Sequence, residues 1–600
     1  MDKNVVLAVI LSFAVIMGFT FMQQRVFPQN ETTQTEEVVE NLPQEGTPVE
    51  ENTVQTDASG GTMSVNSDYS IFLAEGESPA TEQIITMNTD LYEVKFSTKG
   101  AVVSSLTLND HAGDDGTPVN MVYPVVEDRS AFEISFGENY SRPLTEPFYF
   151  EKVSEYEYHF YQTFVMNYSD GTTSAPFTIT KQFRFVPDEY MMELTIEMEN
   201  SVNEYIPLNY DGISYTLTYG PQIGPDFEKL DGRYYYRQYQ VYKDEKVELL
   251  NRSSKTDQFI EEDYVNWAAL SGKYFSVAAI TDSTKYKIIM DNEQSGMDDK
   301  TASYLSFARP SIGSSKNSDV YHFYIGPKDK KILSLYNNSM DNSFNYSNLE
   351  LDELAQSSGI LAPIEWFLKL IIELVYKVIP NYGIAIIIMT LLIKIALFPV
   401  THKSYESTAK MQEIQPMVKE LQEKYKDDPQ KLNVEMSKVY KEQGVNPVGG
   451  CLPMLLQMPI LFAVYGMLNR FFDLRGAVFI PGWINDLSSP ESVWNFAPVS
   501  LPLNLGSDLR LLPIIYVATQ LLSMRFGQSQ SAAGQSGSQQ KMMMYGMPAM
   551  FFFVLYNVPS GLLIYWITMN AVTTLQQQYI TRKKKIQDGL IEPKRKKGGK

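Results

Sequence analysis

The stretch Asn381–Thr401, NYGIAIIIMTLLIKIALFPVT, constrains the fold of this chain more than any other feature. It is almost wholly apolar and has about 20 residues, the length that an α-helix needs to cross a bilayer, so it predicts a membrane span. Lys394 lies inside it, one turn after Thr390. A lysine at that depth costs roughly 2.5–3.5 kcal/mol on insertion scales, which makes it a candidate functional site. Alternatively, Lys394 reaches the nearer interface or pairs with a carboxylate of another helix.

Five further apolar stretches predict a polytopic membrane protein. The first, Val5–Met22, is not followed by a small-x-small cleavage pattern, so it predicts an uncleaved anchor over residues 1–25. Polar side chains also occur inside two of the later stretches, at Gln457 and at Tyr565, Trp566 and Asn570. The complete set of predicted spans after the anchor is residues 382–400, 452–468, 511–526, 542–556 and 560–574.

Between the anchor and Lys394 the pattern changes to that of an acidic linker followed by a β domain. Residues 26–66 are rich in Thr, Glu, Pro and Gly and predict a disordered linker. Residues 67–345 show strand alternation, which is clearest in Met192–Glu199, and predict one large β-sandwich. The abundant Tyr and Phe residues are interpreted as core. A sugar-binding or epimerase-like role for this domain is an alternative, although the sequence shows no acid–base pair to support it.

Two helical segments flank the Lys394 span. Residues 363–379 carry Glu365, Lys369, Glu373 and Lys377 at every fourth position and apolar residues on the other side, which predicts an amphipathic helix in the membrane interface. Residues 404–442 are polar and contain Asp427-Asp428-Pro429, which predicts the turn of a helical hairpin. The seam between its helices is predicted at Met411, Ile414, Met417, Leu421, Tyr425, Leu432, Met436 and Val439.

The basic C-terminal tail predicts the orientation in the membrane. Residues 581–600 contain nine Lys or Arg, so the positive-inside rule places this tail in the cytoplasm. Counting back through six predicted spans places the N-terminus in the cytoplasm as well. The β domain and the loop Arg470–Asp508 are then periplasmic, and the hairpin is cytoplasmic.

Composition excludes several classes of function. The formal net charge of -21 argues against DNA binding by the bulk of the protein. With one cysteine, Cys451, and four histidines the chain encodes neither a disulfide framework nor a recognisable metal motif. It also lacks a P-loop. We therefore predict no cofactor and no enzymatic activity.

Several sequence strings together resemble the YidC-type membrane protein insertases, of the Gram-negative type with a large periplasmic domain. They are YGIAIIIMTLLIK, LFPVT, VNPVGGCLPMLLQMPIL, NVPSGLLIYWITMN and LQQQ, all between residues 359 and 585. The resemblance implies an α-helical polytopic core, formed by a five-helix insertase bundle plus the N-terminal anchor, and a periplasmic all-β supersandwich domain. It implies a polar groove open to the cytoplasm and to lipid and closed toward the periplasm.

The resemblance also implies the roles of particular residues. The family's positive groove residue is usually Arg, and this chain has Lys394 there. Thr390 and Gln457 match other groove positions, and Tyr565, Trp566 and Asn570 complete the predicted substrate groove. Implied partners are nascent membrane proteins, the Sec translocon, the ribosome and signal recognition particle pathway, and the lipid bilayer.

The resulting hypothesis is an insertase and chaperone of the cell inner membrane that works alone or with the Sec translocon. A transporter or channel is the main alternative. Such proteins usually show repeated halves with several polar residues at the midplane, whereas this chain shows no internal repeat and a single intramembrane charge.

Overall fold

The computed structural model describes residues 63–587, apart from residues 75–80, 228–229, 231–235, 252–257, 356–360, 445–451, 500–504 and 528–544 and several shorter gaps. The predicted anchor, most of the predicted linker, Cys451 and the end of the basic tail lie outside the described residues. The chain divides into two compact units, Met1–Ala355 and Gln356–Lys600.

The described residues of the first unit form twenty strands in three antiparallel sheets. In order, the strands are β1 Met63–Asn66, β2 Tyr69–Leu73, β3 Ile84–Asn88, β4 Tyr92–Ser97, β5 Val102–Ala112, β6 Pro118–Asn120, β7 Glu133–Phe136, β8 Tyr149–Lys152, β9 Glu157–Tyr168, β10 Phe177–Phe185, β11 Met191–Asn200, β12 Ile213–Tyr219, β13 Gln238–Lys243, β14 Lys246–Asn251, β15 Gln258–Glu261, β16 Trp267–Ser271, β17 Phe275–Thr281, β18 Lys287–Glu293, β19 Ala302–Pro310 and β20 Lys316–Pro327.

The largest sheet has eleven strands in the order β1-β2-β9-β10-β11-β20-β17-β16-β13-β14, with β8 paired to β9. A five-stranded sheet has the order β15-β18-β19-β12-β7, and a four-stranded sheet the order β3-β4-β5-β6. This arrangement confirms the predicted all-β domain. Its first strand, β1, lies inside the range that was predicted to be linker, so the β structure begins earlier than expected.

Side-chain alternation along the central strands builds the core, as the sequence predicted. In β11 the residues Leu194, Ile196 and Met198 are buried, while Thr195 and Glu197 between them are partly exposed. Many of the aromatic residues are core: Tyr92, Phe96 and Trp267 are fully buried, whereas Tyr205 and Tyr264 are exposed. Phe96, for example, packs against Phe183 with ring centroids 5.2 Å apart.

Lys181 on β10 is a charged residue inside this core. It is fully buried, and its Nζ donates hydrogen bonds to the carbonyl oxygens of Phe132 at 2.6 Å and Gly100 at 3.2 Å. Burial lowers the pKa of Lys181 from 10.5 to about 7, and the carboxylate of Glu133 opposes that shift. The core therefore favours the neutral amine.

We expect the β unit to become more stable as pH rises from about 7 to 9, because the unfolded chain then holds a proton at Lys181 that the folded chain has released. Lys181 alone raises the free energy of unfolding by at most about 1.4 kcal/mol for each pH unit in that window. Denaturant unfolding across a pH series measures the slope. The slope should become flatter in Lys181→Met, and an unchanged slope in that variant would contradict the prediction.

The second unit is helical. Its helices are α1 Ala362–Val378, α2 Tyr382–Lys424, α3 Pro429–Glu442, α4 Leu452–Arg470, α5 Leu512–Gly527, α6 Met547–Leu555 and α7 Ser560–Gln587, and β21 Trp494–Asn495 pairs with β22 Asp508–Leu509 in the loop after α4. Helix α7 packs against both α2 and α5, while α4 packs against α1 and α2. Among the described residues, one helix, at Tyr382–Pro399, is long and apolar enough by itself to cross a membrane.

Helix α2 does not end where the predicted span ends. It continues through Pro399 and Pro416 to Lys424, a length of 43 residues or about 65 Å. The first arm of the predicted hairpin is therefore a direct extension of the Lys394 span. Since hydrocarbon is about 30 Å thick, the second half of α2 projects beyond it.

The hairpin seam is partly as predicted. Ile414 and Val418 of α2 are buried against Met436, Val439 and Tyr440 of α3. Met417, which was predicted to lie in the seam, is exposed instead. Because Met417 and Val418 are adjacent, their side chains point about 100° apart around the helix, and only one of them can face α3.

Helix α1 turns a mixed side into the bundle, where Glu365, Leu368 and Ile372 are buried. Glu365 accepts a hydrogen bond of 2.5 Å from Arg470 at the end of α4, and the Lys369 ammonium lies 4.7 Å from the ring centre of Phe471. Trp366, Phe367 and Lys377 are exposed. Glu365 therefore binds protein, and the position of this helix in the membrane interface stays a prediction.

A buried lysine on the central helices

Helix α2 has two distinct sides around Lys394. Leu391, Leu392 and Ile395 are exposed, and Ile395 retains 69% of its accessible surface. Thr390 and Lys394 are on the opposite side and are buried, with Lys394 only 3% exposed. Around Lys394 the helix therefore presents an apolar surface outward and directs the Lys394 ammonium into the bundle.

The ammonium of Lys394 contacts α7. Its Nζ donates a hydrogen bond of 2.7 Å to the hydroxyl oxygen of Thr573. That hydroxyl donates in turn to the carbonyl oxygen of Met569, also at 2.7 Å. Within residues 63–587, as far as they are described, Lys394 forms no ion pair with a carboxylate. Neutralisation of Lys394 by an acidic residue of another helix is therefore not supported by the described structure.

The predicted site residues are distributed over helices α2, α4 and α7. The Thr390 hydroxyl donates to the carbonyl oxygen of Ile386 at 2.7 Å, and Tyr565 is fully buried on α7. The ring of Trp566 lies 5.9 Å from that of Tyr516 on α5. Gln457 is partly buried on α4, and in the described part of the chain no hydrogen bond joins it to Lys394.

Helix α7 carries a row of buried polar atoms that lack hydrogen-bond partners within the described structure. They are Tyr565 Oη, Asn570 Nδ2, Gln576 Oε1 and Gln577 Oε1. Thr573 lies among them, and at about 100° per residue the five positions fall within an arc of about 140° around α7. A buried polar atom without a partner costs roughly 1–3 kcal/mol, so a row of them indicates a site that water or a polar ligand enters.

Sequence reasoning missed Thr573, Gln576 and Gln577. Thr573 lies inside the predicted span 560–574 but was not singled out, and the two glutamines lie after its end, whereas α7 continues to Gln587. The helical spacing from Tyr565 was the available signal, because positions eight and eleven residues later, Thr573 and Gln576, lie toward the same side of a helix.

One end of the bundle is closed by the segment Phe471–Leu511, which we call the capping loop. The amide hydrogens of Ser560 and Gly561, at the start of α7, donate to the carbonyl oxygens of Ser489 and Leu487 at 2.8 and 2.9 Å. At the start of α2, Asn381 Nδ2 donates to the carbonyl oxygen of Phe479 at 3.2 Å. The loop thus accepts hydrogen bonds from the backbone at the start of α7 and from the side chain that precedes α2.

Glu491 ties the same loop to α5. It is buried, and its carboxylate accepts hydrogen bonds from the backbone amide of Leu512 at 2.7 Å and from the Trp483 indole at 2.9 Å. A carboxylate at a helix N-terminus is stabilised by the helix dipole. Lys394 lies twelve residues after Tyr382, or about 18 Å along α2 from this closed end.

The chemistry that this arrangement can perform is recognition of charge. Helices α2 and α7 offer one buried ammonium, hydroxyl groups and amides. The described residues contain no group of three or more His, Cys, Asp or Glu that could hold a metal ion. An acidic or strongly polar segment is the ligand that matches these groups.

Comparisons with known proteins give a consistent result. A family described as 60Kd inner membrane protein matches residues 374–588, and one described as YidC periplasmic domain matches residues 84–352. The membrane protein insertase YidC of Treponema denticola is 38% identical over 594 residues, which cover 98% of this chain and 100% of that protein. The membrane protein insertase YidC of Treponema pallidum is 33% identical over 623 residues, which cover 97% of this chain and 99% of that protein.

Among solved structures, the chain is similar to a crystal structure of an active YidC insertase with its first transmembrane domain resolved. The identity is 16%, the match covers 83% of this chain and 92% of that chain, and the TM-score is 0.33.

Proposed function

Because this chain belongs to the YidC family of membrane protein insertases, we propose that it inserts newly made proteins through a water-accessible polar groove centred on Lys394. The chain is an inner-membrane insertase with a periplasmic domain, and it is not an enzyme. The groove, the role of the lysine and the orientation of the termini are the parts that we propose.

One observation carries the proposal: the Lys394 ammonium is buried beside Thr573 without a carboxylate partner in the described structure. An isolated charge in a dry apolar bundle is strongly unfavourable. Water in the space lined by α2 and α7 removes that cost, and the unpaired polar atoms of Tyr565 and Asn570 support the presence of water there.

A client segment enters this groove from the side opposite the capping loop. The segment then crosses only part of the hydrocarbon, and an acidic residue in it is attracted by Lys394. At about 4 Å and an effective dielectric constant of 20 that attraction is ~4 kcal/mol before desolvation is subtracted. Such an attraction holds a segment briefly without trapping it.

The apolar part of the client supplies the driving force. Each Leu- or Phe-sized side chain that moves from water into lipid contributes roughly 1.5–3 kcal/mol, so a whole span needs no ATP. The outward surface of α2, with Leu391 and Ile395 exposed, is one place where client and lipid meet.

In this proposal the capping loop is periplasmic, and the hairpin formed by the second half of α2 and α3 is cytoplasmic. Both termini are then cytoplasmic as well. The projecting hairpin is the element that first receives clients from the ribosome and signal recognition particle pathway, and the insertase works alone or beside the Sec translocon. The basic tail, residues 581–600, contacts either ribosomal RNA or anionic lipid.

Site-specific crosslinking tests the groove. We expect a photoreactive residue at Asn570, at Lys394 or at Gln457 to crosslink to the polar translocated segment of a nascent membrane protein. The matched control is position 395, on the outward side of α2, which should not reach that polar segment. Mass spectrometry identifies the crosslinked client peptide, and equal crosslinking of the polar segment from position 395 would contradict the groove.

A further inference from the structure

The capping loop exposes a group of large apolar side chains near the start of α5. We call them the hairpin surface, and they are Val493, Trp494, Phe496, Val499, Leu509 and Leu511. Trp494 retains 64% of its accessible surface and Val499 66%. Trp494 and Leu509 are directly opposite each other in the β21–β22 pair, so their side chains share one side of the hairpin.

Hydrogen bonds hold the β21–β22 hairpin in a defined conformation. The amide hydrogens of Val493 and Phe496 donate to the carbonyl oxygens of Leu509 and Ser507 at 2.9 and 2.8 Å. The carboxylate of Asp508 accepts hydrogen bonds from Ser492 and Asn495, each at 2.8 Å. The apolar side chains are therefore presented outward from an ordered element.

The β21–β22 hairpin is also fixed to the ends of the membrane helices. The Tyr556 hydroxyl, just after α6, donates to the carbonyl oxygen of Asp508 at 2.6 Å. The Arg510 guanidinium donates to the carbonyl oxygen of Tyr556 at 2.8 Å. These bonds place the hairpin surface at the end of the bundle, beside the start of α5 and the end of α6.

Composition and position together indicate what covers this surface. Residues 493–507 contain no Asp, Glu, Lys or Arg, which is unusual for a loop that remains in water. Leu511 leads directly into α5, where Ile514 and Leu522 are also exposed. The hairpin surface is thus continuous with the outward apolar side of a membrane helix, and tryptophan is a residue type favoured at the membrane–water interface.

We propose that the hairpin surface is inserted into the headgroup–acyl boundary of the bilayer, and that phospholipid is its partner. The capping loop is then anchored on two sides. Its inner side is attached to the starts of α2, α5 and α7, and its outer side to lipid. Lipid contact holds the closed end of the bundle in place while the opposite side admits clients.

Spin-label accessibility tests the proposal on the full chain in nanodiscs that hold one copy each. The chain has one cysteine, so Cys451→Ser gives a background for labels at Trp494→Cys and Val499→Cys. Ile395→Cys on α2 provides the lipid reference, and Thr172→Cys, in the exposed turn between β9 and β10, provides the water reference. The measurement is the ratio of collision with oxygen to collision with a nickel chelate.

We expect this ratio at residues 494 and 499 to exceed that at residue 172 several-fold and to approach that at residue 395. A ratio equal to that at residue 172 would place the surface in water and overturn the proposal. Exclusion of both reagents would show that protein covers the surface, which overturns it equally.

A second measurement leaves Cys451 in place and replaces Trp494 by another aromatic residue. Phospholipids brominated near the headgroup quench tryptophans at that depth, and Trp494→Phe removes one of the five tryptophans of the chain. The difference between the two proteins reports Trp494 alone. Its fluorescence should be strongly quenched by shallow bromine, and an unquenched difference signal would contradict lipid contact.

Discussion

Lys394→Ala should lower the insertion of clients with acidic translocated segments by about tenfold or more. The substitution removes the buried Lys394 ammonium, and a net loss of about 1.4 kcal/mol corresponds to a factor of ten. Lys394→Arg should preserve insertion, because it keeps the charge. Lys394→Glu should impair the same clients at least as strongly as Lys394→Ala, since it repels the acidic segment.

Two controls separate charge from packing in this experiment. Ile395→Ala truncates the neighbouring side chain on the outward side of the same helix and, because it removes no charge, should affect clients with and without acidic translocated residues equally. A client whose acidic residues are replaced by amides should depend much less on Lys394. Rescue of growth after depletion and insertion of the paired clients are the measurements, and full function of Lys394→Glu would rule out attraction by the positive charge.

Deletion of Gln412–Lys438 should abolish insertion while the membrane bundle remains folded. The deleted residues form the projecting end of α2, the turn and most of α3, and the contacts of Lys394 with α7 do not involve them. Insertion of a client into vesicles, together with protease resistance of the bundle, measures the two effects separately. Unchanged insertion would remove the hairpin from the mechanism.

Point substitutions test the same element without shortening the chain. Val418 is buried in the hairpin seam, whereas Met417 beside it is exposed. Val418→Asp places a charge between α2 and α3 and should reduce insertion strongly, because an unpaired buried charge is costly. Met417→Asp adds the same charge on the exposed side and should have little effect.

Structural features that depend on one continuous segment of the sequence were predictable. The length and apolarity of Asn381–Thr401 determine a span, and the alternation in Met192–Glu199 determines a half-buried strand, because each depends on helix or strand periodicity alone. The single lysine in the span is visible in the same sequence segment. The hairpin turn at Asp428 and Pro429 was likewise predictable from adjacent residues.

Features that depend on which side of an element meets another were not predictable. The charged side of α1 was identified, but the burial of Glu365 depends on Arg470, which is 105 residues later. The hairpin seam was predicted to include Met417, whereas its neighbour Val418 is the buried residue. Both side chains are apolar, so composition alone does not show which of them faces α3. The continuation of α2 and α7 beyond the predicted spans was not foreseen, because hydropathy marks where lipid ends, whereas a helix continues as long as its backbone is satisfied.

The sequence by itself determined that this chain has a β domain, a set of apolar helices and one lysine in an apolar span, since local periodicity and hydropathy are sufficient for each. Only the tertiary structure decided that Lys394 faces Thr573, 179 residues away, and that the described residues leave it without a carboxylate. The physical reason is that the surroundings of a buried charge are set by side chains from distant helices, and their approach is fixed by packing of the whole bundle.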